Sequence, residues 1–500
     1  MSNANSKIER GELKKVITIW DYFTMGFGAM VGIGWVVTIG TWITKAGGPL
    51  GAIIAFILGG LLMIPIGFVF AELCSAMPVS GGEMAFTYRG FGTKVSFFTG
   101  WFLLLAYIGL CPWESVAIGN LVAAIFPALS FGVIYSVGGY DIQWPLLLIG
   151  LAVSFVIFYI NTIGIDKTAK FQTWMTNLLI ACSVVMIVAG IALGKVSNLH
   201  PLWTDPNVYG TGSLTKIGGM LAIFAITPFF LSGFDVIPQS AEESSAGTDH
   251  KTLGRTIVMV IAFGATFYSL CIFSISMITP WKELNTLSFP AADALKCVSP
   301  MLGDIVLVGA LAGLVTTFNG FFCSAARMLF AMGRCRMLPI WFAVLHPVYK
   351  TPVNAIKFIA FITVLGTFVG KIIVLPIINV GTFGFMIAWL IICLASIKLR
   401  KTEPTLVRPY TMPGGVLCGY IACFSCIVII GILLFPNSPG ALDFPIEYIA
   451  TLAWVCLGAI LYTLASKNRN DITENEREYL IFGSVAEKSS SRGQPTKRIE

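Results

Sequence analysis

Two short segments hold most of the chemistry this chain offers. The first is Gly26-Phe27-Gly28-Ala29-Met30-Val31-Gly32-Ile33-Gly34, with four glycines in nine residues. The second is Thr227-Pro228-Phe229-Phe230-Leu231-Ser232-Gly233-Phe234-Asp235. Both sit inside long apolar blocks. There each glycine costs ~1 kcal/mol relative to alanine in a helix, and proline removes a backbone donor. Two readings stand for each. The glycines are a close-packing face between helices, or the helix unwinds. The second segment is a kinked helix or a broken one. A break leaves N–H and C=O groups unpaired at a depth where water is scarce. Donors near Gly34, at the positive end of a half-helix, suit a carboxylate. Carbonyls near Phe230 suit an ammonium. One site would then read both ends of an α-amino acid.

A few charged or hydroxyl side chains stand beside these segments. Glu114 lies ~18 residues, or ~27 Å, along its helix. It is a partner for a cationic substrate, a proton carrier, or a carboxylate at the membrane interface. Asp235 competes for the same role, or stabilises the start of the half-helix that follows it. Thr316 and Thr317 are adjacent. They join carbonyls around Ala29 and Gly32 to hold sodium, or they bond to their own helix backbone. Glu242, Glu243 and Arg327 belong near one membrane face, as salt bridges of an inner gate or as solvated charges.

Catalysis is a poor fit. His200, His250 and His346 fall in loops with no nucleophile or metal constellation beside them. No resident cofactor is expected, and either sodium or a proton is the candidate coupling ion. The twelve cysteines lie mostly in apolar blocks, with CxxC spacing only at Cys423 and Cys426. They read as buried thiols. A channel would need charged rings or a filter-like loop, and neither is visible.

The elements that position these residues follow from composition. Of 500 residues, 56% are hydrophobic and 11% charged. The apolar residues come in blocks that reach the ~20 residues of a membrane span, without the two-residue alternation of a barrel strand. Twelve spans are predicted near 16–45, 50–73, 95–128, 143–163, 171–194, 215–240, 253–279, 301–332, 354–370, 372–398, 415–435 and 446–466. The first exceeds the ~20 residues of a straight crossing, which leaves room for a break. Most of the 32 lysines and arginines then fall on one side, so both termini are expected in the cytoplasm. The polar start, 1–15, reads as a cytoplasmic arm rather than a cleaved signal peptide. Residues 467–500 read as a disordered cytoplasmic tail. The net charge of +7 does not argue for nucleic acid. The partners expected are a lipid bilayer and a small molecule, with no accessory subunit indicated.

The interrupted spans are the first and sixth, the offset of two five-span repeats in inverted topology. Matched interruptions are the sequence pointer to a transporter's midplane site. With that spacing, the chain resembles the amino acid–polyamine–organocation transporters over roughly 16–466. The resemblance rests on Met30-Val31-Gly32-Ile33-Gly34; on Pro78-Val79-Ser80-Gly81-Gly82-Glu83 through Gly90-Phe91-Gly92; and on Gly233-Phe234-Asp235 with Ala241-Glu242-Glu243. It continues in Ser324-Ala325-Ala326-Arg327 through Leu338-Pro339, Thr351-Pro352-Val353-Asn354-Ala355, and Arg408-Pro409-Tyr410-Thr411-Met412-Pro413-Gly414.

The resemblance implies an all-α leucine-transporter-type fold. Its twelve helices would comprise repeat one over about 16–194, repeat two over about 215–398, and helices 11 and 12 over about 415–466. It implies alternating access in a plasma-membrane carrier of an amino acid or related amine, as symporter or exchanger. A substrate-binding nutrient sensor without net flux is the alternative. Backbone groups at Gly32, Ile33 and Gly34 would hold the substrate carboxylate, with Met30 also in the binding site. Carbonyls near Phe230, Leu231 and Ser232 would hold the amine, and Phe234 would be an aromatic gate. Three positions depart from the pattern. Ile33 replaces a small residue, Trp35 stands where an aliphatic residue is common, and Leu179 stands where many sodium-independent members carry a lysine.

Overall fold

The computed structural model describes residues 10–206, 215–370, 374–435, 438 and 441–484. The chain begins with α1 (Ile19–Met30), α2 (Gly34–Val37) and α3 (Ile39–Lys45). It continues with α4 (Pro49–Ala76), a loop helix α5 (Gly82–Phe91), α6 (Thr93–Ile125), α7 (Trp144–Thr162) and α8 (Ile165–Leu193). Next come α9 (Lys216–Phe230), α10 (Val236–Gln239) and α11 (His250–Ile278). Two short helices, α12 (Trp281–Leu284) and α13 (Pro290–Lys296), precede α14 (Pro300–Arg334). The remainder is α15 (Val353–Thr367), α16 (Val374–Thr402), α17 (Val416–Leu434), α18 (Ile446–Leu464), α19 (Ser466–Asn470) and α20 (Glu474–Phe482).

Nine helices among the described residues are long and apolar enough to cross a bilayer: α4, α6, α7, α8, α11, α14, most of α16, α17 and α18. Large apolar side chains such as Phe155, Phe424 and Leu452 face outward. In water that surface would aggregate, whereas in hydrocarbon it is the ordinary exterior. The chain is a polytopic helical membrane protein.

The long helices hold the site from several sides. α14 packs against α6 and α8, and α4 lies along α11. From Leu314 to Arg334 every residue of α14 is buried, so this helix runs through the middle of the protein. It is tied sideways by an amide ladder that needs no charge. Asn161 of α7 donates to Asn319 Oδ1 at 2.8 Å, Asn319 donates to Gln172 Oε1 of α8 at 2.8 Å, and Gln172 donates to the Thr316 carbonyl at 3.0 Å. In a medium without water each bond avoids an unpaired buried polar group.

Both sequence-predicted interruptions are present. α1 opens on a capping box in which Thr18 and Asp21 satisfy each other's amides. Its last bond runs from Val31 N–H to Phe27 O at 3.0 Å, and the helix resumes only at Gly34. Gly26 and Gly28 lie within α1, and a Cβ on Gly28 would stand 2.3 Å from Thr176 Oγ1. The glycine-rich segment is therefore a packing face at its start and an unwound stretch at 31–33. α9 ends at Phe230 and α10 starts at Val236, so the sixth span is broken rather than kinked.

The structure corrects the sequence reading in two places and adds to it in a third. The all-α description misses a hairpin of β1 (Val133–Val137) and β2 (Tyr140–Gln143), antiparallel, with a register shift between Val133 and Tyr135. Gly138 and Gly139 both take positive φ at its turn, the chemistry of a two-residue hairpin loop. The connection before α14 contains α12 and α13. The tail is not wholly disordered: α19 and α20 are folded, and Leu480 and Ile481 are buried. Thr473 and Glu476 form a capping box at the start of α20, a helix signal that polar composition concealed. Residues 1–9 and 485–500 lie outside the described residues.

Candidate functional site

The two interruptions face each other across one small cavity. Met30, Gly32, Ile33 and Gly34 line it from the first break, and Phe229, Phe230 and Ser232 from the second. Glu114 of α6, Tyr268 of α11 and Thr317 of α14 complete its polar wall. Trp113 and Phe321 add apolar surface.

The backbone at both breaks is free in the sense the sequence predicts. Among the described residues, the N–H groups of Gly32 and Ile33 donate to no backbone carbonyl, and the carbonyls of Phe230 and Leu231 accept from no backbone amide. Other groups are already used. Tyr268 donates its hydroxyl to the Met30 carbonyl at 3.0 Å, and the Ser232 hydroxyl donates to Phe229 O at 2.7 Å. The break thus presents donors on one side and acceptors on the other, held by side chains from α11 and by its own Ser232.

Glu114 is fully buried, and neither carboxylate oxygen has a hydrogen-bond partner among the described residues. It is enclosed by protein rather than exposed at a surface. An ideal Cβ on Gly32 would stand 3.8 Å from Glu114 Oε1. The free carboxylate therefore lies beside the free amides. A buried, unpaired carboxylate costs several kcal/mol if ionised, so it needs a cation, a proton or a ligand group.

Asp235 has a different place. It does not line the cavity. Its Oδ1 accepts from Gly233 N–H at 2.9 Å and its Oδ2 from the Tyr107 hydroxyl at 2.8 Å. It makes no side-chain cap to α10. It braces the turn that ends the break, linking it to α6.

The two threonines also separate. Thr316 donates to Gly313 O of its own helix at 2.9 Å. Thr317 reaches across to Gly28 O of α1 at 3.2 Å and lines the cavity. Leu231 and Phe234 are buried away from the cavity. Phe234 packs on Phe70 and Trp389, with ring centroids 5.2 and 5.0 Å away. The aromatic wall of the cavity comes instead from Phe229 and Phe230, the latter in edge contact with Trp42 at 4.7 Å. Leu179 is buried in α8, and the neutral Gln172–Asn319 pair crosses between α8 and α14. Sequence reasoning missed Tyr268, Gln172, Asn319 and Asn161. A polar residue in an apolar block was the available signal.

Where the arm before α1 meets the end of α14, five charged side chains pair. Arg327 pairs with Glu243 at 2.8 Å, with both side chains at most 2% exposed. Arg334 pairs with Glu242 at 2.8 Å, and Arg10 joins it at 3.0 Å. Ser80 N–H donates to Glu242 at 3.0 Å. These are not solvated interface charges. Burial pushes the Glu242 carboxyl up, but Arg334 and Arg10 outweigh burial and hold it below the ordinary glutamate range. Burial wins at Glu243, which is raised despite Arg327.

The chain is 26% identical to the methylthioribose transporter of Bacillus subtilis (strain 168) over 92% of this chain and 95% of that protein. It is 24% identical to the branched-chain amino acid permease BcaP of the same organism, with the same coverage. It is 26% identical to the chloroplastic cationic amino acid transporter 7 of Arabidopsis thaliana, over 79% of this chain and 68% of that one. The model of a family described as amino acid permease matches residues 17–460. A match over nearly the whole chain, interrupted helices included, places this protein in the amino acid permease family.

Proposed function

We propose that this protein is a secondary transporter that moves an amino acid or related amine across the plasma membrane by alternating access. The observation that carries the reading is the cavity shared by both helix breaks, lined by Gly32 and Ile33 with their free amides and by the carbonyl end of α9 at Phe230. The amides hold the substrate carboxylate, and the carbonyls hold its ammonium. Met30, Gly34 and Ser232 shape the same pocket, and Phe230 serves as its aromatic wall in place of Phe234.

The nine long helices, the two shorter apolar helices α9 and α15, and the interrupted α1–α3 segment together support twelve spans. Breaks in the first and sixth support the leucine-transporter-type arrangement of two inverted five-helix repeats. The excess of lysine and arginine on one side supports cytoplasmic termini.

Coupling follows from Glu114. A substrate carboxylate on the Gly32 amide lies beside the Glu114 carboxylate, and two anions that close in a buried cavity repel strongly. Glu114 therefore admits the carboxylate together with a proton, and the reading is proton-coupled symport. Sodium at Thr316 and Thr317 is the weaker reading, because only Thr317 lines the cavity between the breaks. Exchange is retained as the mode expected where no ion gradient is applied.

The test is uptake into proteoliposomes of labelled amino acids and amines, with and without a pH gradient, in sodium and in choline buffers. Accumulation driven by an inward proton gradient, equal in both buffers, is expected. Substrate binding without flux would replace transport by sensing. Uptake that requires sodium would move coupling to the threonines.

A further inference from the structure

A second cleft, remote from the substrate cavity, is lined by the arm before α1, the end of α14 with the loop after it, and α20. Three arginines enter it: Arg10, Arg334 and Arg336. It measures about 760 Å³, counting space open to solvent. Phe330, Ile340 and Leu345 form its apolar part. We infer that this cleft binds a phosphate-bearing anion, either the headgroup of an anionic lipid or a soluble phosphate.

The charges near the cleft do not balance. Glu242 takes both Arg334 and Arg10, and Glu12 lies near Arg10. Among the described residues Arg336 has no salt bridge and no side-chain hydrogen bond, and its Nε is buried without a partner. Arg334 Nε is likewise buried and unpaired, while Arg334 is only 5% exposed. A guanidinium cannot lose its charge and presents five donors in a planar fork, the geometry that matches phosphate oxygens. Free donors of this kind at a cleft wall are suited to phosphate oxygens.

The end of α14 places Arg336 at the cleft. Arg336 takes φ 63° as the residue after the helix C-cap: its N–H donates to Gly333 O at 3.1 Å and Met337 N–H donates to Met332 O at 2.8 Å, the ordinary left-handed stop of a helix. That stop fixes where an otherwise unused arginine leaves the backbone. Basic pockets beside apolar walls on the cytoplasmic side are the pattern that anionic headgroups fit.

The site also touches the inner closure. Arg10 donates to the carbonyls of Leu480 and Ile481 at 3.2 and 3.3 Å, and Arg334 donates to Gly11 O at 3.1 Å. An anion in the cleft would therefore bind at once to the arm, to α14 and to α20, and hold them together.

Arg336→Gly is the informative variant, because it removes the charge and suits the backbone. The purified full chain would be placed in nanodiscs of phosphatidylcholine, with or without phosphatidylglycerol. In the phosphatidylcholine discs, inorganic phosphate would be titrated. The unfolding midpoint and the lipid adducts seen by native mass spectrometry would be read. A rise of about 2 °C or more with phosphatidylglycerol, lost in Arg336→Gly, identifies a lipid headgroup. The same rise with phosphate, lost in the variant, identifies a soluble anion. Equal responses in both proteins, or no response and no phosphatidylglycerol adduct in the wild type, overturn the inference. The wild-type adduct measurement stands even where the variant is poorly behaved.

Discussion

Gly233 rests directly against the backbone of Met30. At φ +111°, a Cβ on Gly233 would stand 2.6 Å from the Met30 amide nitrogen. The two helix breaks are thus in main-chain contact, and the cavity between them depends on that contact. Gly233→Ala adds backbone strain to a collision that no flexible side chain can relieve. A loss of roughly 2–5 kcal/mol is expected from strain plus overpacking. Thermal unfolding in detergent measures the stability loss, and proteoliposome flux should fall to background. Normal flux would show that the breaks separate in the working protein.

Glu114→Gln tests the coupling reading. An amide holds no proton cycle but accommodates a neighbouring carboxylate. If the substrate is a zwitterion, the variant should bind it with little pH dependence and should no longer accumulate it against a gradient. If the substrate is an amine without a carboxylate, binding should drop by tenfold or more, about 1.4 kcal/mol, because an ion pair is lost. Isothermal binding at several pH values separates the two. Unchanged pH-driven accumulation would remove Glu114 from the mechanism.

Thr316 and Thr317 should behave differently despite being neighbours. Thr317→Val breaks the cross-helix bond to Gly28 O and alters the cavity wall, so substrate affinity should weaken about fivefold, near the ~1 kcal/mol of one hydrogen bond. Thr316→Val removes only a bond to its own helix and should change affinity less than twofold. Transport kinetics in sodium and choline buffers provide both numbers.

The Arg327–Glu243 pair predicts non-additivity. Arg327→Met leaves a buried carboxylate without its cation, which costs ~3–5 kcal/mol. The double change Arg327→Met with Glu243→Leu removes both charges and should recover most of that loss. A double variant no more stable than the single one would show that Arg327 acts through packing alone.

Acid should weaken the Glu242 cluster. Its carboxyl is held below the ordinary value of 4.5. A depressed folded-state value means that the stabilisation is complete above that ordinary value and is lost as pH falls through the folded one. Glu243, raised by burial, has the opposite sign, so the comparison must isolate Glu242. The wild type should lose more of its melting temperature between about pH 5 and pH 3 than Glu242→Gln does. Parallel curves would exclude Glu242 as the source.

The sequence by itself determined the solvent of this fold and where the helices fail. Long apolar blocks have one stable solution in a bilayer, and glycines or proline in a span without water mark where the backbone is interrupted. It also determined the family, through motifs that persist in order along the chain. It did not decide which side chains meet. Phe234 and Phe230 are four residues apart, yet the non-helical turn between them sends one to Trp389 and the other to the cavity. Thr316 and Thr317 are adjacent, but a helix turns about 100° per residue, so only Thr317 reaches α1. Asn161, Gln172 and Asn319 look like isolated polar residues in sequence and form one ladder in space. The polar tail seemed unable to fold because its buried partners, Arg10 and the end of α14, lie far away along the chain. Interruption is a local property of the backbone and is legible locally. Convergence depends on helix rotation and packing, and only the tertiary structure decided it.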